Sequence, residues 1–534
     1  MGPAAIIHLT MRGRSGTLAS PGLMNLAVAL ETGPEPSWIK VIDQTRCIGC
    51  HACSTACKSE NQVPLSVNRT YVKSVDVGRH PQARRLFQVT RCNQCANPPC
   101  VAACPTGAMF RRRDGIVDFA KTICIGCKAC IAACPYDAVF INPDDHAAEK
   151  CNLCAHRLDI GLEPACVVVC PTQAIVVGDR HDPAGRAAHI LHRDSVAVRR
   201  PEKETRPQLF YKGAHAATLD PLAAARPAGG LFMWSQQPRG PQAVVSGHPQ
   251  GSASAAAAVL SYDVGHRAPW DWRVSLYTWT KSIAAGVYMI AALLALAGAF
   301  DGDDGLWRWM APAGSLAFMG VTGLLLVADL EHPERFYLIF TRPQWRSWLV
   351  RGAFIIGAYS VVLLLHLGLS IAGAVGYQLP LSAVGIPLAA ATAVYTAYLF
   401  AQAKARDLWQ NALLPAHLLV QALVAGASVL APAAAAVAPD AVVPLLWTLA
   451  GSAAAHLLLV AGEAGASHTT AHVRLGVHEM VAGRYRSYYW AGAAAVAAGL
   501  SAPWVGAAAA PLPLLGLLAY EHAYVQAGQA VPLA

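Results

Sequence analysis

Two hydrophobic patterns divide this 534-residue chain. Long apolar runs recur at 276–299, 309–329, 352–375, 379–401, 412–437 and 442–463. Each is about 20 residues or longer, enough to cross roughly 30 Å of hydrocarbon as a helix. Residues 487–525 are apolar too, broken by Pro503, and hold two spans if both are short. About eight transmembrane helices are expected over 271–527, followed by a tail at 528–534. Ahead of them the pattern is short and mixed. Ile116–Phe119 and Ala174–Val177 predict brief strands. Residues 181–270, with Gly229-Gly230 and the low-complexity run Ser252–Ala258, keep no sustained period and predict an extended strap. Residues 1–37 predict a poorly ordered leader.

Composition sharpens this division. Hydrophobic residues reach 54% and charged residues only 14%, against roughly 25% charged in soluble domains. Residues 271–534 carry 12 Lys+Arg and 12 Asp+Glu, so the net charge of +9 falls wholly on residues 1–270. All sixteen cysteines lie between Cys47 and Cys170. Arg12 and Arg14 are not adjacent, and no cleavage pattern follows Met24–Leu30, so neither a secretory nor a twin-arginine signal is read. Cysteines without an export signal belong in a reducing compartment, where they bind metals or clusters.

Orientation gives the same answer. With alternating spans, Arg273, Arg335, Arg342, Arg346, Arg351, Lys404, Arg406, Arg474, Arg484 and Arg486 fall on the side of the cysteine-rich region. Arg308 stands opposite, beside Asp301, Asp303 and Asp304. The positive-inside bias predicts a multi-pass protein of the inner (cytoplasmic) membrane with the cysteine-rich region in the cytoplasm.

The cysteines form four sets. Cys47, Cys50, Cys53 and Cys57 have the spacing C-x2-C-x2-C-x3-C, as do Cys124, Cys127, Cys130 and Cys134. Cys92, Cys95, Cys100 and Cys104 are spaced x2-x4-x3, and Cys151, Cys154, Cys166 and Cys170 x2-x11-x3. Proline follows the last cysteine in three of the four. Three closely spaced thiolates wrap one cubane, and the fourth, beyond the x3 gap, points to a neighbouring one. Zinc uses paired C-x2-C but not this crowded run, and a disulfide framework does not suit the compartment. Four 4Fe–4S clusters are expected. His51 and His156 sit beside these cysteines as outer or surface groups. Arg111-Arg112-Arg113 before Asp114-Gly115 predicts a solvated hairpin turn.

With these motifs, residues 38–180 resemble the four-cluster iron–sulfur subunit of the DMSO reductase and polysulfide reductase family of molybdenum enzymes. The resemblance implies an α+β duplicated bacterial ferredoxin-like domain whose motifs exchange last ligands. Cluster A would take Cys47, Cys50, Cys53 and Cys170, and cluster B Cys151, Cys154, Cys166 and Cys57. Cluster C would take Cys92, Cys95, Cys100 and Cys134, and cluster D Cys124, Cys127, Cys130 and Cys104. A and B would face the catalytic partner and D the membrane.

The apolar half carries Ala328-Asp-Leu-Glu-His-Pro-Glu-Arg-Phe336, Trp345-Arg-Ser-Trp348, Tyr395-Thr-Ala-Tyr398, Arg406-Asp-Leu-Trp409 and Leu414-Pro415. On these it resembles the NrfD/PsrC family of quinone-reactive membrane subunits, an all-α polytopic bundle. Ionisable groups in a bilayer are costly and so are functional candidates. Lys281, one turn into the first run, Asp329, Arg335, Tyr395, Glu463 and His472 are candidates for binding quinone and moving protons. Against this, Lys281 could snorkel and Asp329–Arg335 could be a structural ion pair. His366, His417 and His456 fall within spans without an evident paired geometry. The resemblance implies no haem, and no nucleic-acid partner is expected.

The reading is an electron-transfer and membrane-anchor component of a quinone-linked oxidoreductase. Electrons would pass between a molybdopterin (Mo or W) catalytic subunit and ubiquinone or menaquinone in the lipid. The alternatives are a quinol-oxidising module of an alternative-complex-III-like assembly and an ion-translocating redox module. Primary substrate chemistry is expected in a separate partner protein.

Overall fold

A computed structural model of the chain describes residues 35–78, 80–225, 258–265, 268–299 and 304–533. Nearly all of the expected leader, Gly229-Gly230, most of Ser252–Ala258, Asp301 and Asp303 lie outside the described residues.

The cysteine-rich part is α+β. Its strands are β1 (Trp38–Asp43), β2 (Thr70–Val77), β3 (Arg84–Arg91), β4 (Met109–Arg111), β5 (Val117–Phe119), β6 (Val139–Ile141), β7 (Ala148–Lys150), β8 (Ile175–Asp179), β9 (Val196–Ala197), β10 (Leu209–Lys212) and β11 (Ala258–Tyr262). The hairpins β4–β5 and β6–β7 each follow one inner cysteine motif, which displays the duplication. The outer motifs meet at a sheet of order β8-β1-β10-β9, in which Lys40 lies opposite Val177 and Leu209. A second sheet has the order β11-β2-β3. The expected strands at 116–119 and 174–177 appear, shifted by a residue or two, as β5 and β8.

Residues 181–225 depart from the extended strap expected there. They carry the helix Arg186–Arg193, β9, β10 and the helix Ala216–Leu219. Leu209 and Tyr211 are buried with Ile42, Val72 and Val89, which gives β10 a reason to pair with β1. The sheet fixes that segment through burial that four residues are too few to announce.

Among the described residues, seven helices are long and apolar enough to cross a membrane: Trp272–Leu296, Leu306–Ala328, Trp348–Ile371, Val375–Gln402, Leu414–Val437, Pro439–Gly465 and Arg486–Ala509. They are called the first to seventh spans. The seventh is interrupted, with a fresh helical turn starting at Ala502–Val505 and Pro503 in it. An eighth helix, Pro511–Ala530, packs along the seventh and the first. The first span is central, packed against the second, fourth, fifth and eighth helices. A Cβ on Gly286 would lie 1.8 Å from the carbonyl oxygen of Ala422, so the first and fifth spans touch backbone to backbone.

Candidate functional site

In every cysteine motif the residue before the second cysteine is left-handed: Gly49 (φ 69°), Gln94 (φ 45°), Gly126 (φ 69°) and Leu153 (φ 61°). Non-glycine residues hold this conformation only where the surroundings demand it. Here it brings the amides of Gly49 and Gln94 to the sulfurs of Cys47 and Cys92. After the x3 gap, Met109 N donates to Cys104 Sγ at 3.4 Å and Ala174 N to Cys170 Sγ at 3.2 Å. Ala148 N donates to Cys124 Sγ at 3.4 Å.

The sulfurs gather in fours that mix motifs. One cavity is lined by Cys104, Cys124, Cys127 and Cys130, another by Cys57, Cys151, Cys154 and Cys166. Cys47 has Cys50, Cys53 and Cys170 as electrostatic neighbours, and Cys95 has Cys92, Cys100 and Cys134. The sets neighbour one another electrostatically through Cys53 and Cys166, Cys92 and Cys151, and Cys100 and Cys104, which orders the four in a row. Among the described residues, no three Cys, His, Asp or Glu donors converge as one metal ion needs. Four sulfurs spaced around a cavity, with N–H groups aimed at them, fit an iron–sulfur cluster.

Cations stand in the same places. Lys40 Nζ is 3.4 Å and Arg91 Nη1 3.1 Å from Cys166 Sγ, both side chains being buried. Burial pushes the Cys166 thiol up, but these two charges outweigh it and hold it at about 7. His51 instead packs edge-on to Tyr262, and His156 bonds Glu60 at 2.8 Å. In the arginine run, Arg112 pairs with Asp114 and Asp159.

The third motif docks on the ends of the spans. Lys128, beside Cys127, bridges Asp329 (3.4 Å) and Glu331 (3.1 Å). Arg335 Nη1 donates to the carbonyls of Lys121 and Cys124, at 3.0 and 3.1 Å. Asp329 and Arg335 thus take different partners. Burial raises the Asp329 carboxyl to about 6, against the pull of Lys128. Gly126 is held by contact as well as by φ, since a Cβ there would lie 2.4 Å from Glu331 Cβ. Trp270 Nε1 reaches Cys127 O at 3.4 Å, and its ring stacks on Trp409, which stacks on Phe400.

Inside the bundle, Lys281 is fully buried and does not snorkel. The first span starts at Trp272, so Lys281 lies nine residues in rather than one turn. Its Nζ donates to Ala393 O at 2.8 Å and Thr396 Oγ1 at 2.7 Å, and lies 4.8 Å from the centre of the Tyr395 ring. Tyr398 is half-exposed and stacks on Trp348. Glu463 belongs to a second group, bonded to Asn411 (2.6 Å), Tyr520 (2.8 Å) and His417 (3.3 Å). His417 Nε2 meets His456 Nδ1 at 3.0 Å, a pairing of neighbouring spans that the sequence did not reveal. His366 stands apart, against Tyr288 and Trp307. His472 lies apart too, in the field of Arg200, Asp407 and Lys203 under the cysteine-rich domain. Glu521, missed in the sequence, accepts from Thr278 at 3.2 Å and interacts with the charge of Lys281. It is an acid inside the apolar stretch 487–525, and the rule that singles out Lys281 also points to it.

Two family models match this chain: a 4Fe-4S dicluster domain over residues 83–180 and Polysulphide reductase, NrfD over 262–506. The B subunit of tetrathionate reductase from Salmonella typhimurium is 44% identical over 203 residues, covering 37% of this chain and 81% of its own length. The B component of polysulfide reductase from Wolinella succinogenes is 43% identical over 173 residues, 32% of this chain and 90% of that protein. Protein NrfC of Escherichia coli K12 is 40% identical over 173 residues, 32% and 78% respectively. The chain therefore belongs to the family of iron–sulfur electron-transfer subunits that includes these relatives, and it carries an NrfD-type quinone-linked membrane subunit in the same polypeptide.

Proposed function

We propose that this chain conducts electrons between a molybdopterin-type catalytic subunit and membrane quinone through four 4Fe–4S clusters. The ligand sets are the four groups of cysteines A to D given above, in the order A, B, C, D toward the membrane. The iron–sulfur domain (38–180) lies on the cytoplasmic side, which the ten basic residues at that end of the bundle support. The observation that carries the reading is the docking of the third motif: Lys128, Gly126 and Trp270 hold the Cys127 loop on the span ends, above Lys281.

Bound clusters supply one-electron relay, and the quinone takes up two electrons and two protons. The chain's own part is to hold and orient. Lys281 and Tyr395 form the wall of the quinone pocket between the first and fourth spans, with a buried ammonium able to donate to a quinone oxygen. Asp329 and Arg335 hold the junction. Exposed Ile48, Leu65, Ile160 and Val168, near the first and fourth motifs, offer the catalytic subunit an apolar face.

Anaerobically purified protein is expected to contain about sixteen iron and sixteen labile sulfide per chain. Mixing it with a short-chain quinol should bleach the cluster absorbance. Zinc in place of iron, or clusters that no quinol reduces, would overturn the proposal.

A further inference from the structure

We infer that Glu463, His417, His456 and Glu521 form the proton route between the junction face of the membrane and the Lys281 pocket. The inference rests on the reading that quinone reacts beside Lys281. Asn411, in the loop before the fifth span, donates to Glu463 Oε1 at 2.6 Å. The same oxygen lies 3.3 Å from His417 Nδ1, and the other ring nitrogen of His417 lies 3.0 Å from His456. The imidazole can take a proton on one nitrogen and release one from the other. His456, Glu521 and Lys281 each lie nine residues from the junction-side end of their helix, at a common depth of about 14 Å. Glu521 shares the depth of Lys281 and His456 and lies in the electrostatic field of Lys281, His417 and Glu463.

Two atoms argue against a purely structural network. Glu521 Oε1 and His456 Nε2 are buried without a hydrogen-bond partner. A buried network serving only stability closes on itself, and each ionisable side chain here costs free energy in a bilayer. The groups facing the route are Tyr277 and Lys281 on the first span, His417 on the fifth, His456 and Glu463 on the sixth, Tyr489 on the seventh, and Tyr520, Glu521 and Tyr524 on the eighth helix. Oxidation of a quinol in the pocket breaks two O–H bonds and sends two electrons, one at a time, to the clusters. The two protons pass to Glu521, then to His456 and His417, then to Glu463 and the junction face. Quinone reduction runs the same path inward. His456 takes a proton on Nε2, the ring atom without a partner, and hands one on from Nδ1 to His417 Nε2.

The test uses the full chain with its clusters and a short-chain quinol, following cluster reduction by stopped flow. Glu521→Gln and His417→Ala should each slow it at least tenfold, raise its solvent deuterium isotope effect and shift its pH profile, with iron content unchanged. Glu521→Asp should restore most of the rate, and added imidazole should rescue His417→Ala. Redox-induced infrared difference spectra should lose a carboxyl band in Glu521→Gln. Lys281→Met separates the two readings. If it is slow while Glu521→Gln and His417→Ala keep the wild-type rate, isotope effect and infrared band, the route is wrong and the pocket stands. If Lys281→Met is itself as fast as wild type, the pocket reading fails first.

Discussion

Arg91 is a guanidinium buried with Nε and Nη2 unpartnered, an expensive placement unless a negative charge sits beside it. Its neighbour is Cys166, and a reduced cluster there carries one more negative charge than an oxidised one. Arg91→Met should therefore lower the potential of cluster B by about 60 mV or more, a tenfold shift for one electron, in an EPR-monitored redox titration. Glu149 is the converse case. Its carboxylate meets Arg69 at 2.6 Å and Lys121 at 2.8 Å, and despite burial these partners hold its pKa below the ordinary range. Glu149→Gln leaves Arg69 buried and underpaired, so it should cost about 3 kcal/mol, seen as earlier thermal loss of the clusters. Because the folded pKa is depressed, that stabilisation holds above the ordinary glutamate range and is lost as pH falls through the lowered value. The cysteines were legible because each set of four falls at fixed spacings within twenty residues or fewer. Arg91, Lys40 and Glu149 were not, since each sits on a strand and meets a partner 75 or more residues away.

Among elements, long ones could be read and short ones could not. Six apolar runs match six spans because a transmembrane helix repeats its signal over about 20 residues. The seventh span and the eighth helix were legible only as a pair, because Pro503 and Glu521 dilute their pattern. β10 shows the opposite limit: Leu209 and Tyr211 alternate with Phe210 and Lys212, two periods of a signal that needs more. Which faces of the helices meet was not legible either. Gly286→Val tests one such contact. Its side chain would press into the fifth span, and the bundle should lose about 2 kcal/mol, read as a lower detergent-unfolding midpoint with iron content retained.

For the whole molecule, the count of Lys and Arg predicts the sidedness. A reporter fused after Gly376 should be periplasmic and one after Arg406 cytoplasmic; the reverse would move the iron–sulfur domain outside. The junction between the two halves has a consequence of another kind. Its contacts include partly buried ion pairs around Lys128 and at Asp407, hydrogen bonds to backbone carbonyls, a small apolar cluster around Ile125 and one tryptophan. Between separate proteins such a contact would be set against dilution, and its lifetime would limit throughput. Within one polypeptide the halves meet again at an effective concentration fixed by the tether. Transfer across the junction is first order at any protein concentration, the ratio of relay to membrane end is one to one without regulation of synthesis, and the contacts at Lys128 are left only the task of orientation.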